Sequence, residues 1–326
     1  MKILPSVILA TTVLACAVGA AQAQAPAWPA TTVRIIVPYP PGTEPDVLAR
    51  DLGNELGKQT GKTFLVENKP GANSILGTDI VAKADGDGGT MLMVDRLAIV
   101  TNPQLYKQMP YRWEESLRPV SDLAGVNLFL SVREDFPART YAEFIQYAKA
   151  NPGKINVGTG GNGHVNHIAA AMIAQAQGVQ FTYVPYKGVA PAVAGLLSRE
   201  IDATLSGGLV VQGHARTGKL RVLAVGDNKR ASFLPDVPTI VEAGGVEGSI
   251  PSTVFALIAP ARTPDALVNH ISQSVAKAIS DPALLAKYNG RGLNVAPTRP
   301  ADTLALMKKD AAQYEKVIRE AGIKVE

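Results

Sequence analysis

Apolar side chains recur along this chain at two spacings that take turns. Val33–Val37 is a short β-branched run ending in Pro38-Tyr39-Pro40-Pro41-Gly42, which predicts a strand entering a turn. Leu48, Leu52 and Leu56 follow at helical spacing and mark one apolar face. Strands at Thr63–Val66 and Thr90–Val94 bracket a helix at Ile75–Ala84. After Gly125 the alternation returns: strand Asn127–Val132, helix Tyr141–Ala150, strand Lys154–Val157, a helix starting near Asn166, strand Phe181–Val184 and helix Ala190–Leu197. This rhythm predicts parallel sheets with helices on both faces.

Two helices close the chain. Thr263-Pro264-Asp265 reads as a cap followed by proline at the first helical position, and Leu267, Ile271, Val275 and Ala278 supply the apolar stripe behind it. Leu304, Met307, Ala311, Tyr314 and Ile318 do the same for the last helix. So many elements exceed one small core, so two α/β lobes are expected, with Pro235–Pro251 as a connection between them. The chain is expected to cross near Ala124 and to return between Val222 and Leu257, giving lobe I as 24–124 with 227–326 and lobe II as 125–226. In open α/β sheets a ligand sits beyond the carboxyl ends of the strands, which directs attention to the loops after Val37, Val66, Val94, Val157 and Val184.

Composition narrows the class. The 326 residues are 46% hydrophobic and 18% charged, enough apolar material for real cores, which excludes a disordered chain. The net charge of +4 is spread without a Lys/Arg run, so nothing points to nucleic acid. The first residues stand apart: Lys2 is the one charge before Arg34, Ile3–Ala17 is apolar, and Ala21-Gln22-Ala23 supplies the small residues of a cleavage site. Residues 1–23 are read as a signal peptide cut near Ala23, directing the protein to the periplasm. Cys16, the single cysteine, would leave with it. Val13-Leu14-Ala15-Cys16 loosely resembles a lipid-anchor box, the alternative at this end.

Two loops carry candidate chemistry. Gly158-Thr159-Gly160-Gly161-Asn162-Gly163-His164 follows a strand and opens a helix, and Gly158, Gly160 and Gly163 satisfy G-x-G-x-x-G. A dinucleotide site would want an acid about 20 residues on, where Tyr183-Val184-Pro185-Tyr186 has none. What survives is a backbone cradle for a carboxylate or phosphate: glycines allow close approach and the helix start offers free N–H groups. A plain connecting turn is the bland alternative. Pro38–Asp46 is a second such cradle, with Thr43-Glu44-Pro45-Asp46 also reading as a capping box. His164 and His167 stand three apart but lack a third metal ligand, so His167 is either a donor to a ligand or a satisfied core histidine. Ser206-Gly207-Gly208 does not form a nucleophile elbow. Arg96, after a strand end, could clamp a carboxylate or pair on the surface.

The motifs in order resemble one family. Val37-Pro38-Tyr39-Pro40-Pro41-Gly42 with Asp46 and Ala49-Arg50, then Val66-Glu67-Asn68-Lys69-Pro70-Gly71-Ala72, Val184-Pro185-Tyr186-Lys187-Gly188, Leu234-Pro235-Asp236-Val237-Pro238-Thr239 and Ala259-Pro260 look like the Bug/TctC family. These are the periplasmic substrate-binding proteins of tripartite tricarboxylate transporters. The resemblance implies a two-lobe periplasmic-binding-protein (Venus flytrap) fold, each lobe a mostly parallel sheet flanked by helices. It also implies binding, without catalysis, metal or cofactor, of a small mono- or dicarboxylate, aliphatic or aromatic, for delivery to membrane subunits. The protein is expected to be monomeric. A sensory receptor for the same solute and an exported hydrolase using His167 are the competing readings.

By that resemblance the first ligand loop supplies Tyr39, Pro40, Gly42, Thr43, Glu44 and Asp46, and the second Thr159, Gly160, Gly161, Asn162 and His167, with Arg96 and Ser206 completing the candidate set. Two departures stand out. The family's Gly-Gly after the prolines is Gly42-Thr43 here, followed by Glu44, and its Pro-Asp-Gly-Tyr-Thr is Gly86-Asp87-Gly88-Gly89-Thr90. A desolvated, unpaired Glu44 would repel an anion by roughly several kcal/mol. Glu44 therefore points to solvent, or meets Arg96, or faces a solute that carries a donor or positive group.

Overall fold

The computed structural model describes residues 28–251 and 253–324; the signal segment and Cys16 lie outside them. In chain order the first elements are β1 (Thr32–Val37), α1 (Glu44–Thr60), β2 (Thr63–Asn68), α2 (Ile75–Ala82), β3 (Thr90–Asp95), α3 (Arg96–Leu105), α4 (Trp113–Ser116) and β4 (Leu117–Val126). There follow β5 (Leu128–Arg133), α5 (Tyr141–Ala150), β6 (Asn156–Thr159), α6 (Val165–Gln177), β7 (Thr182–Pro185), α7 (Val189–Leu197), β8 (Ala203–Gly207), α8 (Gly208–Arg216) and β9 (Leu220–Val225). The chain closes with β10 (Thr253–Pro260), α9 (Asp265–Ile279), α10 (Pro282–Asn289), β11 (Leu293–Val295) and α11 (Pro300–Glu320).

The strands form two sheets, ordered β11-β4-β10-β3-β1-β2 and β7-β6-β8-β5-β9. Both are mixed rather than mostly parallel. β1 pairs in parallel with β2 and β3, and β6 with β7 and β8, as βαβ units require. β10 is antiparallel to β3 and β4, and β5 is antiparallel to β8 and β9. These antiparallel strands sit where the chain passes from one sheet to the other: β4 runs through Asn127 straight into β5, and β10 arrives after β9. No crossover helix dictates a parallel direction there.

Each sheet is covered on both faces. In the first, Ile35, Met93 and Leu257 pack under α1 and α9, while their neighbours Ile36, Leu92 and Ile258 pack under α3 and α11. That period-two division is why these strands read as unbroken apolar runs. In the second, Leu130, Val157 and Leu205 join one core and Phe129 and Val225 the other. Burying each such side chain contributes about 1.5–3 kcal/mol. Leu48, Leu52 and Leu56 of α1 are all buried, and Gly61 in the left-handed region ends the helix.

Two local expectations are corrected. Thr263 is not the cap of α9; Pro264 takes the cap position in extended backbone, and the Thr263 hydroxyl is buried without a partner. Pro235–Pro251 does lie on the connection from β9 in the second sheet to β10 in the first, but not as a loose linker, because Thr239 bridges Val225 and Ile240 and Ile250 bury in the second sheet's core. Among the described residues no helix is long and apolar enough to cross a membrane.

Candidate functional site: a cleft between the two sheets

Five helices begin directly beyond the carboxyl ends of strands: α1 after β1, α3 after β3, α6 after β6, α7 after β7 and α8 after β8. Their starts converge on one cleft of about 430 Å³. Tyr39, Pro40, Thr43, Glu44, Asp95 and Phe255 line it from the first sheet. His164, Lys187, Gly188, Ser206 and Gly207 line it from the second, and Leu97, Val126, Leu128 and Val210 give it an apolar middle.

The two walls differ in charge. On the first, α1 carries Glu44 and Asp46 in its first turn, and the Asp95 side chain caps α3 by accepting the Leu97 N–H at 3.0 Å. On the second, α6, α7 and α8 have no acid in their first turns, and neither α7 nor α8 has a side-chain cap, because glycines 188 and 207 hold those positions. The first wall's helix starts thus have carboxylates of their own; α7 and α8 offer theirs to a ligand.

The loop after β1 is shaped from within. Gly42, at φ +83, turns the chain so that its N–H reaches Asp46 Oδ2 at 2.9 Å. Asp46 also takes Arg50 and Asn68 and is buried, which holds its carboxyl below the usual range despite burial. The capping box does not form: Thr43 donates its hydroxyl to the Pro40 carbonyl instead of capping α1, and Asp46 turns back to the Gly42 N–H rather than to that of Thr43. Tyr39 closes the floor, its hydroxyl accepting the Asp95 N–H at 3.1 Å and its ring edge-on to Phe255.

Of the residues expected from sequence, Tyr39, Pro40, Thr43, Glu44 and Ser206 line the cleft. Others do not. Gly42 and Asp46 shape the loop behind it. Arg96 lies outside the lining: it is buried, paired with Asp122 and with Asp310 at 3.0 Å, and locks the start of α3 to β4 and α11. Thr159, Gly160, Gly161 and Asn162 lie outside the lining, and the loop's amides are largely spent internally. Gly160 donates to Asn166 Oδ1 at 3.0 Å, and Gly163 to His167 Nδ1 at 3.2 Å. His167 is the satisfied core histidine, its ring against Tyr183 and its pKa lowered to about 4 by burial and by His164. Gly163 adopts φ +73, and a Cβ there would lie 2.4 Å from Leu105, so glycine is required where the two lobes touch.

Sequence reasoning missed Asp95, Lys187, Gly188 and Gly207 as wall residues. The available signal was positional: each stands at the carboxyl end of a strand or just after it.

Glu44 resolves a question the sequence left open. It is half-buried, it does not meet Arg96, and its Oε1 lies 3.3 Å from where a Cβ on Gly207 would stand. Burial raises its pKa, countered by its own N–H and by Arg291. Burial also raises Asp95 to about 7, opposed by the Leu97 N–H and Arg96 and reinforced by Asp310. An unfolded aspartate titrates near ~3.9, so between these values the native state keeps a proton that the unfolded chain releases. The stabilisation from this group is complete below the unfolded value and is lost as pH rises through about 7. Asp122, raised to about 6 mainly by burial, has the same sign. Asp95 and Asp122 therefore contribute a fall in melting temperature between about pH 5 and about pH 8, against a rise up to about pH 6.5 from His167, and Asp95→Asn is expected to remove the Asp95 share of the fall. Identical slopes for the two proteins, followed by differential scanning calorimetry, would contradict this assignment.

Comparison with known proteins agrees with the fold. The model of the tripartite tricarboxylate transporter family receptor matches residues 48–323. Protein BugT of Bordetella pertussis is 30% identical over 307 residues, covering 94% of each chain. The structure of the periplasmic binding protein BugD superposes with a TM-score of 0.78 at 31% identity, over 90% of this chain and 98% of that one. An R. palustris protein solved with adipate gives a TM-score of 0.81 at 30% identity, over 91% and 99%. A family model matching residues 48–323, with relatives alike over nearly the whole chain, leaves one conclusion: the chain belongs to the tripartite tricarboxylate transporter receptor family, the TctC family of periplasmic solute receptors.

Proposed function

We propose that this protein is an extracytoplasmic receptor that closes two lobes on a small carboxylate and presents it to the membrane subunits of a tripartite tricarboxylate transporter. The observation that carries the reading is the second wall, where the uncapped starts of α7 and α8 line the cleft with no acid in their first turns. Such ends hold an anion through fixed amides, without a mobile charge that must be desolvated. The adipate bound to the R. palustris relative supports the ligand class. Closure excludes water and strengthens these bonds, and the closed form is the one a transporter can recognise.

The moving bodies are residues 24–124 with 227–326, and 125–226. Gly125 and Val126 still pair within the first sheet, which favours moving the first boundary to Asn127; the attachment of Thr239–Ile250 to the second sheet favours placing the return nearer Ile250. We assign export to the periplasm through residues 1–23 and action as a monomer. Binding rather than turnover is favoured because His167, the base a hydrolase would use, accepts the Gly163 N–H. Titration calorimetry against mono- and dicarboxylates, each with its matched amide, is expected to give Kd values of about 1 μM or tighter for at least one acid and none for its amide. No heat and no thermal shift across the panel would contradict the proposal.

A further inference from the structure

The asymmetry of the walls says more about the solute, on the premise that it is a carboxylate. Glu44 reaches across the cleft toward Gly207, yet takes no amide from α8; among the described residues its carboxyl accepts only its own N–H and feels Arg291 at a distance. A carboxylate has about four acceptor sites, so most of Glu44's hydrogen-bonding capacity faces the cleft unused. Asp95, 6% exposed, lies on the same wall, its oxygens bonded to the N–H groups of Leu97 and Val254. The rings of Tyr39 and Phe255 stand beside them, 6.3 Å apart at their centroids, and the face of such a ring attracts a cation. Opposite, the lining has Lys187 and uncapped helix starts. Ser206 Oγ, fully buried, is without a partner beside Gly207. It is a free donor and acceptor at the point where the walls meet.

We propose that the solute is a zwitterion, its carboxylate at the starts of α7 and α8 and its cationic nitrogen at Glu44 and Asp95, between Tyr39 and Phe255. The cation removes the repulsion that Glu44 would exert on a simple anion and supplies the donors its oxygens lack. An acid group at both ends is disfavoured, because one carboxylate would lie against Glu44 and Asp95. The apolar middle takes an aliphatic or aromatic body.

Calorimetry with matched sets tests this: hexanoate, adipate, 6-aminohexanoate and hexylamine; butyrate, succinate, 4-aminobutyrate and butylamine; and benzoate, terephthalate, 4-(aminomethyl)benzoate and benzylamine. In at least one set the amino acid is expected to bind roughly tenfold or more tightly than the mono- and dicarboxylate. Glu44→Gln, which keeps the shape, is expected to lower that affinity roughly tenfold while leaving the monocarboxylate equal or better. Glu44→Ala serves as the second variant should the first not fold, and the wild-type ranking needs neither. A dicarboxylate as the tightest ligand in every set, or a ranking unmoved by the substitution, would overturn the zwitterion. Binding of the amine alone, or of nothing, would overturn the carboxylate receptor itself.

Discussion

Replacing Arg96 by methionine is expected to destabilise the protein by about 3–5 kcal/mol near neutral pH, the cost of leaving buried carboxylates without their cation. Arg96 is 8% exposed and pairs with both Asp122 and Asp310, joining the start of α3 to strand β4 and the last helix. Asp122 is already raised to about 6 by burial, and one of its oxygens has no partner. Without the guanidinium both acids protonate more readily, so the loss should be smaller at about pH 5 than at about pH 8. Urea denaturation at the two pH values reads this directly. The folded fraction should still bind solute, since Arg96 is outside the cleft. A solute clamp would show the reverse, intact stability with lost affinity, and that outcome would contradict the structural role.

Gly207→Val is expected to do the opposite: to weaken binding about a hundredfold while costing far less in stability than Arg96→Met. Gly207 sits at φ −67, ψ 157, a conformation any residue adopts, so the backbone is not strained. Valine restricts the unfolded chain by about 0.4–1 kcal/mol, which offsets part of the about 1–3 kcal/mol cost of crowding Val126. Its Cβ, however, would stand 3.0 Å from Val126 Cγ1 and 3.3 Å from Glu44 Oε1, filling the space between the lobes in front of the start of α8. Two lost hydrogen bonds to a charged group amount to about 3 kcal/mol or more, roughly a hundredfold in Kd. Calorimetry paired with a thermal melt checks both halves. Affinity within about threefold of the parent would mean that the α8 start is not part of the site.

The βαβ units were legible because each strand there is an apolar run between helical stripes, and β1, β2, β3, β6 and β7 emerged close to their observed limits. Strand β4 was not, because Pro119, Ser121 and Asp122 break its pattern. The Asp122 carboxylate is tolerated in the interior through Arg96, a contact 26 residues away in sequence. The same limit applied to the cleft. Gly42 and Glu44 were visible as a turn and a helix start, and Pro40, Thr43 and Glu44 of that loop line the cleft. The glycines at 158–163 gave an equally strong local signal, yet Asn166 and His167 consume their amides, which only the folded geometry shows. Gly188 and Gly207 are modest in sequence and matter because α7 and α8 start there. Spacing locates a helix start; what already occupies its amides is settled by tertiary contacts.

The account rests on a carboxylate held by main-chain amides of the second wall. A crystal structure of the protein with its tightest carboxylate ligand is the direct measurement. The carboxylate oxygens are predicted within about 3.2 Å of backbone nitrogens in the first turns of α7 or α8. A carboxylate bound instead at Arg96, at the Gly160–Asn162 loop or outside the cleft would contradict it.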